Sequence, residues 1–186
     1  MRIIAGQFRG LALASVGKGD EAAHLRPTTD RVRESLFSVL TAGKYGDAVE
    51  DARVLDLFAG TGALGLEALS RGAECVTFVD DGRKAQGLIS ENIKKCRAEE
   101  HCTFMRMDAT RLPANPSEPY DLIFLDPPYT KGLGEVAIAA ALAGNWLTKR
   151  ALVVWEDSAA ITPPEGLILL DTRKYGDTKI NFLEPA

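Results

Sequence analysis
From residue 53 onward, apolar runs of strand length alternate with amphipathic stretches of helix length. No other feature of the chain limits its fold as tightly. Val54-Leu55-Asp56-Leu57-Phe58 predicts a buried strand, followed by a glycine-rich turn and a helix from about Ala63 to Arg71. The unit repeats with a strand over Cys75–Val79 and a helix over Arg83–Arg97. Thr103–Met107, Tyr120–Leu125 and Ala151–Trp155 read as further strands, with a helix near Leu133–Ala143 before the last of them. Two more strands, near Leu167–Asp171 and Lys179–Leu183, flank Tyr175-Gly176-Asp177 and predict an antiparallel hairpin at a sheet edge. Strands that alternate with helices in this way imply a doubly wound α/β fold, with a parallel sheet covered on both faces.

The first 45 residues differ in character. Arg2 to Leu13 predicts two short strands around a glycine-containing turn, and Arg26-Pro27-Thr28-Thr29-Asp30 predicts a helix start. Val32, Leu36, Phe37, Val39 and Leu40 then recur at helical spacing. Residues 1–45 are therefore expected to form an N-terminal hairpin-and-helix extension, and residues 46–186 the α/β domain. The chain of 186 residues suits one compact domain with such an appendage. Its net charge of −4 hides an asymmetry: residues 1–33 carry six basic side chains against three acidic ones. That pattern fits a basic arm that meets phosphates and an acidic body that does chemistry.

Composition also removes classes of function. The N-terminus is no signal peptide, because a charge and glycines interrupt its apolar stretch. Runs such as Leu167–Leu170 are too short to span a bilayer, so a cytoplasmic protein without a membrane partner is expected. Cys75, Cys96 and Cys102 form no CxxC pair, and only His24 and His101 are present, so no metal is expected.

Gly60-Thr61-Gly62-Ala63-Leu64-Gly65 matches G-x-G-x-x-G between a strand and a helix, and Asp80 ends the next strand 20 residues after Gly60. Taken alone, this fits a nicotinamide or flavin dinucleotide as well as a methyl donor. Asp56 shifts the balance. It lies four residues before the first glycine, where a carboxylate would repel a pyrophosphate but not a cationic sulfonium. Asp108, after the third strand, is placed to accept a hydrogen bond from an adenine amino group. Three strand ends in succession thus carry an acid, a rim that suits a cationic nucleoside.

Asp126-Pro127-Pro128-Tyr129 follows the fourth strand directly. An exocyclic base amine is a poor nucleophile, because its lone pair is delocalised into the ring. Asp126 can accept one of its N–H bonds and the Pro127 carbonyl the other, which turns the lone pair toward a methyl group. Pro127 and Pro128 stiffen the loop, and Tyr129 offers a face on which an extruded base can stack.

Asp56 to Gly62 together with Asp126-Pro127-Pro128-Tyr129 resembles the class I amino-methyltransferases. The wider pattern resembles the RsmD type, the small-subunit (16S) ribosomal RNA guanine-N2 methyltransferases. Arg2 to Gly10, Arg26 to Phe37 and Gly62 to Gly72 carry that closer likeness. The resemblance implies a Rossmann-like, seven-stranded, mostly parallel sheet with an antiparallel last strand. It implies S-adenosylmethionine as donor, S-adenosylhomocysteine as product and one guanine as acceptor, in a partly assembled small subunit. It further implies that Phe58, Ala59, Gly60, Thr61, Gly62 and Ala109 line the donor site. The chain departs from the family at Asp80-Asp81, where glutamate is usual, and at Tyr129, where some members carry Phe.

Arg2, Arg9, Arg26, Thr28, Arg31 and Arg33 are the candidate RNA contacts, with Lys174 and Tyr175 on the same face; the competing reading for Arg31 and Arg33 is pairing with Glu34 or neighbouring acids on a helix surface. A monomer is expected. An adenine-N6 DNA or RNA methyltransferase, a dinucleotide-dependent oxidoreductase and a non-catalytic RNA-binding assembly factor are the competing readings.

Overall fold
The computed structural model describes residues 1–15, 29–128 and 132–186. Arg26, Thr28 and Tyr129 lie outside the described residues. Helix α1 spans Asp30–Thr41 and is followed by β1 (Arg53–Leu57), α2 (Ala63–Ser70), β2 (Cys75–Asp80), α3 (Arg83–Cys96) and β3 (Cys102–Arg106). Then come β4 (Tyr120–Leu125), α4 (Leu133–Ala143), β5 (Leu147–Asp157), β6 (Leu167–Tyr175) and β7 (Thr178–Pro185). The seven strands form one sheet in the order β3-β2-β1-β4-β5-β7-β6. All neighbours from β3 to β5 are parallel, and β7 runs antiparallel between β5 and β6. The expected doubly wound sheet with an antiparallel last strand is thus observed. The hairpin inserts β7 inward, so that β6 forms the edge opposite β3.

Alternation along the strands sorts their side chains into two layers. Val54, Val76, Phe78, Leu122, Phe124 and Val154 face one cluster with α1, α2 and α3. Leu55, Leu57, Val79, Ile123, Leu125, Val153 and Trp155 face another with α4. Both faces are covered, which explains why the strands read as nearly continuous apolar runs. Among the described residues no helix is long and apolar enough to cross a membrane.

The N-terminal segment differs from the two strands expected of it. It has one isolated antiparallel bridge, Arg2 to Ala12, with Ile3 N donating to Leu11 O at 3.0 Å and Gly10 N donating to Ile3 O at 2.8 Å. Its backbone instead bonds to α2: Gln7 N donates to the Ser70 carbonyl at 2.8 Å, and Ile4 N to the Glu67 carboxylate at 2.8 Å. Gly6, at φ +80°, sits so close that a Cβ would lie 1.7 Å from the Ser70 carbonyl oxygen. Ile3 and Leu13 are buried in the same cluster as Phe37, Leu66 and Phe124, so the segment shares the core of the sheet.

Candidate active site
The order of the strands reverses at β1, which has β2 on one side and β4 on the other. A crevice opens beyond the carboxyl ends of strands at such a point. Register brings the strand ends level: Leu57 pairs with Val79 and with Leu125, and Leu125 pairs with Trp155. The residues that follow, Phe58, Asp80, Asp126 and Glu156, therefore share one edge.

The loop after β1 turns back on itself through positive φ values at Phe58 (+59°), Gly60 (+58°) and Gly62 (+75°). Glycine adopts this region freely, whereas an aromatic residue there carries backbone strain of about 1–3 kcal/mol. Strain at Phe58 marks a backbone course that the surrounding fold enforces. Ala59 N donates to Val79 O at 3.1 Å, and Gly62 N to Ala59 O at 2.7 Å. Asp80 clamps two loops together, accepting from Gly60 N at 3.0 Å and from Gly82 N at 2.8 Å. Asp56 lies beneath the turn, only 2% exposed, and accepts from Gly65 N at 3.0 Å. Gly65 must lack a side chain there, since a Cβ would meet the Phe78 ring at 2.5 Å.

Burial pushes the Asp56 carboxyl up to about 8, with the Gly65 amide opposing the rise and Asp80 adding to it. Burial also raises Asp80, against the pull of the Gly60 and Gly82 amides, with Asp81 adding to the rise. Asp108 differs. Its carboxylate caps the short 3₁₀ turn Ala109–Arg111, accepting from the Thr110 amide and hydroxyl, and these bonds hold it below the usual range. Ala109, beside it, is buried.

Asp126 opens the loop after β4, and its amide donates to the Leu57 carbonyl at 3.4 Å, joining this loop to the start of the glycine loop. Its carboxyl stands well above the ordinary carboxylate range, first through burial and then through Glu156, Asp56 and Asp157. Pro127 is buried and Pro128 partly so. Burial and crowding hold the acids that converge from β1 and β4 toward their neutral forms, and a nearby cation would favour their ionisation, so this set fits a positively charged ligand and disfavours a polyphosphate.

The basic residues divide. Arg2, Arg9 and Arg31 are exposed and line a cavity of about 330 Å³ with Asp30 and Glu34, between the N-terminal turn and the start of α1. Arg33 is not on that surface. Its side chain is fully buried, donates to the Arg2 carbonyl and to Asp30 Oδ1 (3.0 Å), and lies 3.7 Å from the Glu67 carboxylate. The expectation that Arg33 contacts RNA is thus corrected. At helical spacing it falls on the face of α1 that meets α2, where Leu36, Phe37 and Leu40 also lie, and desolvation lowers its pKa. Of the late-turn residues, Lys174 is exposed and the Tyr175 hydroxyl bonds Ser35 Oγ at 3.0 Å.

Three polar residues that tie the N-terminal segment to α2 and α3 are not legible in the sequence. Glu67, fully buried, accepts from Ile4 N, Ala5 N and Arg71 Nε. Ser70 Oγ accepts from Phe8 N. Asn92 is buried among Ile89, Ile93 and Cys96 on α3. The available signal was a polar residue at a core position of each helix.

Residues 1–184 match the protein family described as conserved hypothetical protein 95. Over 156 residues the chain is 38% identical to the ribosomal RNA small subunit methyltransferase D of Escherichia coli strain K12, covering 84% of this chain and 74% of that one. Over 176 residues it is 37% identical to the protein of the same name from Haemophilus influenzae, covering 91% and 86%. The solved structure of yhhF from Escherichia coli is similar with a TM-score of 0.83 and 35% identity, covering 100% of this chain and 97% of that one.

Proposed function
The chain belongs to the conserved hypothetical protein 95 family, that of the RsmD-type methyltransferases, and has their Rossmann-like class I fold; from that premise we propose that it methylates the exocyclic N2 amine of a guanine in 16S ribosomal RNA. The observation that carries the reading is the junction of the two loops, where Asp126 N meets the Leu57 carbonyl at the crevice, among acids that suit a cation. S-adenosylmethionine, when bound, supplies an electrophilic methyl group on a sulfonium and leaves as S-adenosylhomocysteine. Gly60, Thr61 and Gly62 would give it a close backbone approach, with Phe58 and Ala59 beside them. Asp80 retains acceptor capacity for ribose hydroxyls, and Asp108 with Ala109 would flank the adenine.

Asp126 and the Pro127 carbonyl would accept the two N–H bonds of the amine and turn its lone pair outward. Pro128 keeps that geometry rigid, and Tyr129 would stack on the base. Proximity and electrostatics then suffice, without a metal or a covalent intermediate. Arg2, Arg9 and Arg31, with Arg26 and Thr28, would hold RNA phosphates, so residues 1–45 serve as the RNA-facing extension of a catalytic domain over 46–186. The substrate is a partly assembled small subunit, and the enzyme acts as a cytoplasmic monomer.

The deciding experiment is methyl transfer from labelled S-adenosylmethionine to small subunits lacking the modification, followed by nucleoside analysis. N2-methylguanosine is the expected product. N6-methyladenosine would overturn the base assignment while leaving the donor and loop chemistry intact.

A further inference from the structure
Asn92 lies on α3, outside both loops of the crevice, and its side chain is entirely buried. All of its bonding is directed at backbone. Its Oδ1 accepts from Ala14 N at 2.7 Å, and its Nδ2 donates to Ala14 O at 3.1 Å and to Thr61 O at 2.9 Å. Toward Ala14 the amide behaves as a second strand would, holding both polar groups of one peptide position. Toward Thr61 it holds the carbonyl between the two left-handed glycines of the donor loop. One turn earlier, Ile89 packs where a Gly62 side chain would otherwise be, 3.3 Å from the ideal Cβ. The same stretch of α3 therefore braces the glycine loop by both packing and hydrogen bonding.

Ala14 is equally well connected. Leu13 N donates to the Met1 carbonyl at 3.1 Å, and Ala12 bridges Arg2, so fixing Ala14 fixes the base of the N-terminal turn that presents Arg2 and Arg9. We propose that Asn92 is a positioning residue that ties the donor loop to the RNA-facing N-terminal segment, so that occupancy of one site strengthens binding at the other. This rests on the reading of residues 1–15 as RNA-facing. A single amide shared by both segments cannot follow a shift of Thr61 without moving Ala14. By linkage, the effect of donor on RNA affinity must equal that of RNA on donor affinity.

The test uses Asn92→Asp, which keeps shape and removes both donated bonds, alongside Asn92→Ala, which removes the amide without adding charge. S-adenosylhomocysteine binding is measured by calorimetry, with and without unmodified small subunits, and turnover by the labelled-methyl assay. The expected result is a donor Kd weakened about tenfold without subunits. The KM for subunits should rise by a similar factor, kcat should stay within threefold, and the donor–subunit coupling should fall to unity. Wild-type affinities and coupling in both folded variants, with only a lowered Tm, would overturn the proposal and leave Asn92 a packing residue. If the wild-type protein binds donor but methylates no subunit, the functional reading fails, whereas the donor Kd of the variants still judges the bracing of Thr61.

Discussion

Asp126 faces two opposing demands. Its surroundings, the desolvated loop and the acids Glu156, Asp56 and Asp157, favour the protonated form, whereas the proposed recognition of an amine calls for an ionised acceptor. Asp126→Asn preserves the shape and withdraws the charge. We expect it to lower kcat by about 10²–10⁴-fold, the usual scale for one preorganised catalytic group, with the calorimetric Kd for S-adenosylhomocysteine within threefold. Loss of donor affinity at normal turnover would refute that division of roles. The pH dependence follows from the same crowding. Because the pKa of Asp126 is raised, the proton persists where a free aspartic acid, near about 3.9, has lost it, and activity should rise with pH on a limb displaced above ordinary carboxylates. A kcat/KM profile limited only by a group near pH 4 would exclude Asp126 as the acceptor. Asp56, pushed up from 3.8 to about 8, binds its proton more tightly folded than unfolded. Its contribution to stability is complete below the lower value and is lost as pH rises through the upper one. A cationic donor favours the ionised acids, so the gain in Tm on adding S-adenosylmethionine should be larger at pH 8 than at pH 6.

Helix α2 is short and almost wholly buried, and its stability depends on its two flanks. On the sheet side, Gly65 allows Phe78 and Val76 to approach and gives Asp56 its amide. Gly65→Ala should gain up to about 1 kcal/mol of helix propensity but lose about 1–3 kcal/mol to overpacking, for a net loss of stability. Because the helix must also shift, donor affinity should fall with it; denaturant midpoints and donor calorimetry check the two effects separately. On the outer side, Glu67 unites the amides of Ile4 and Ala5 with Arg71 at 2.8 Å and Arg33 at 3.7 Å. Glu67→Ala should cost about 3–5 kcal/mol, because it leaves the buried Arg33 dependent on the half-exposed Asp30 and strips the Ile4 and Ala5 amides of their acceptor. A loss below 1 kcal/mol in equilibrium unfolding would show that water enters and replaces the carboxylate.

At the scale of the molecule, charge is segregated. An acidic crevice lies at the carboxyl edge of the sheet, while exposed Arg2, Arg9 and Arg31 gather around the N-terminal cavity. If that cavity meets phosphates, Arg9→Glu with Arg31→Glu should weaken RNA binding and flatten its dependence on log[salt], by about 0.7 per lost contact to single-stranded RNA. An unchanged salt slope would remove these arginines from the interface. Arg33→Glu should behave otherwise and fail in folding, since it would set two acids against each other beneath α1.

The strand–helix alternation, the glycine loop and the Asp126-Pro127-Pro128 turn were legible because each is local. Buried parallel strands need unbroken apolar runs, and left-handed turns need glycine. For the same reason the bounds of α4 and β4 agree with the pattern in the sequence. β5 begins four residues earlier than its apolar run suggests, at Leu147, because strand pairing with β4 and not hydrophobicity sets that end. The roles of Arg33, Glu67 and Asn92 could not be read locally. Spacing shows which side of a helix a residue occupies, but not that Glu67 awaits an arginine from 34 positions earlier or that Asn92 faces a backbone 78 positions away. The sequence alone thus determined the strands and helices from residue 53 onward, the crevice and the residues at its rim, through short-range sterics and burial. Only the tertiary structure decided which charges are buried and which segments they join, because that depends on contacts between residues far apart along the chain.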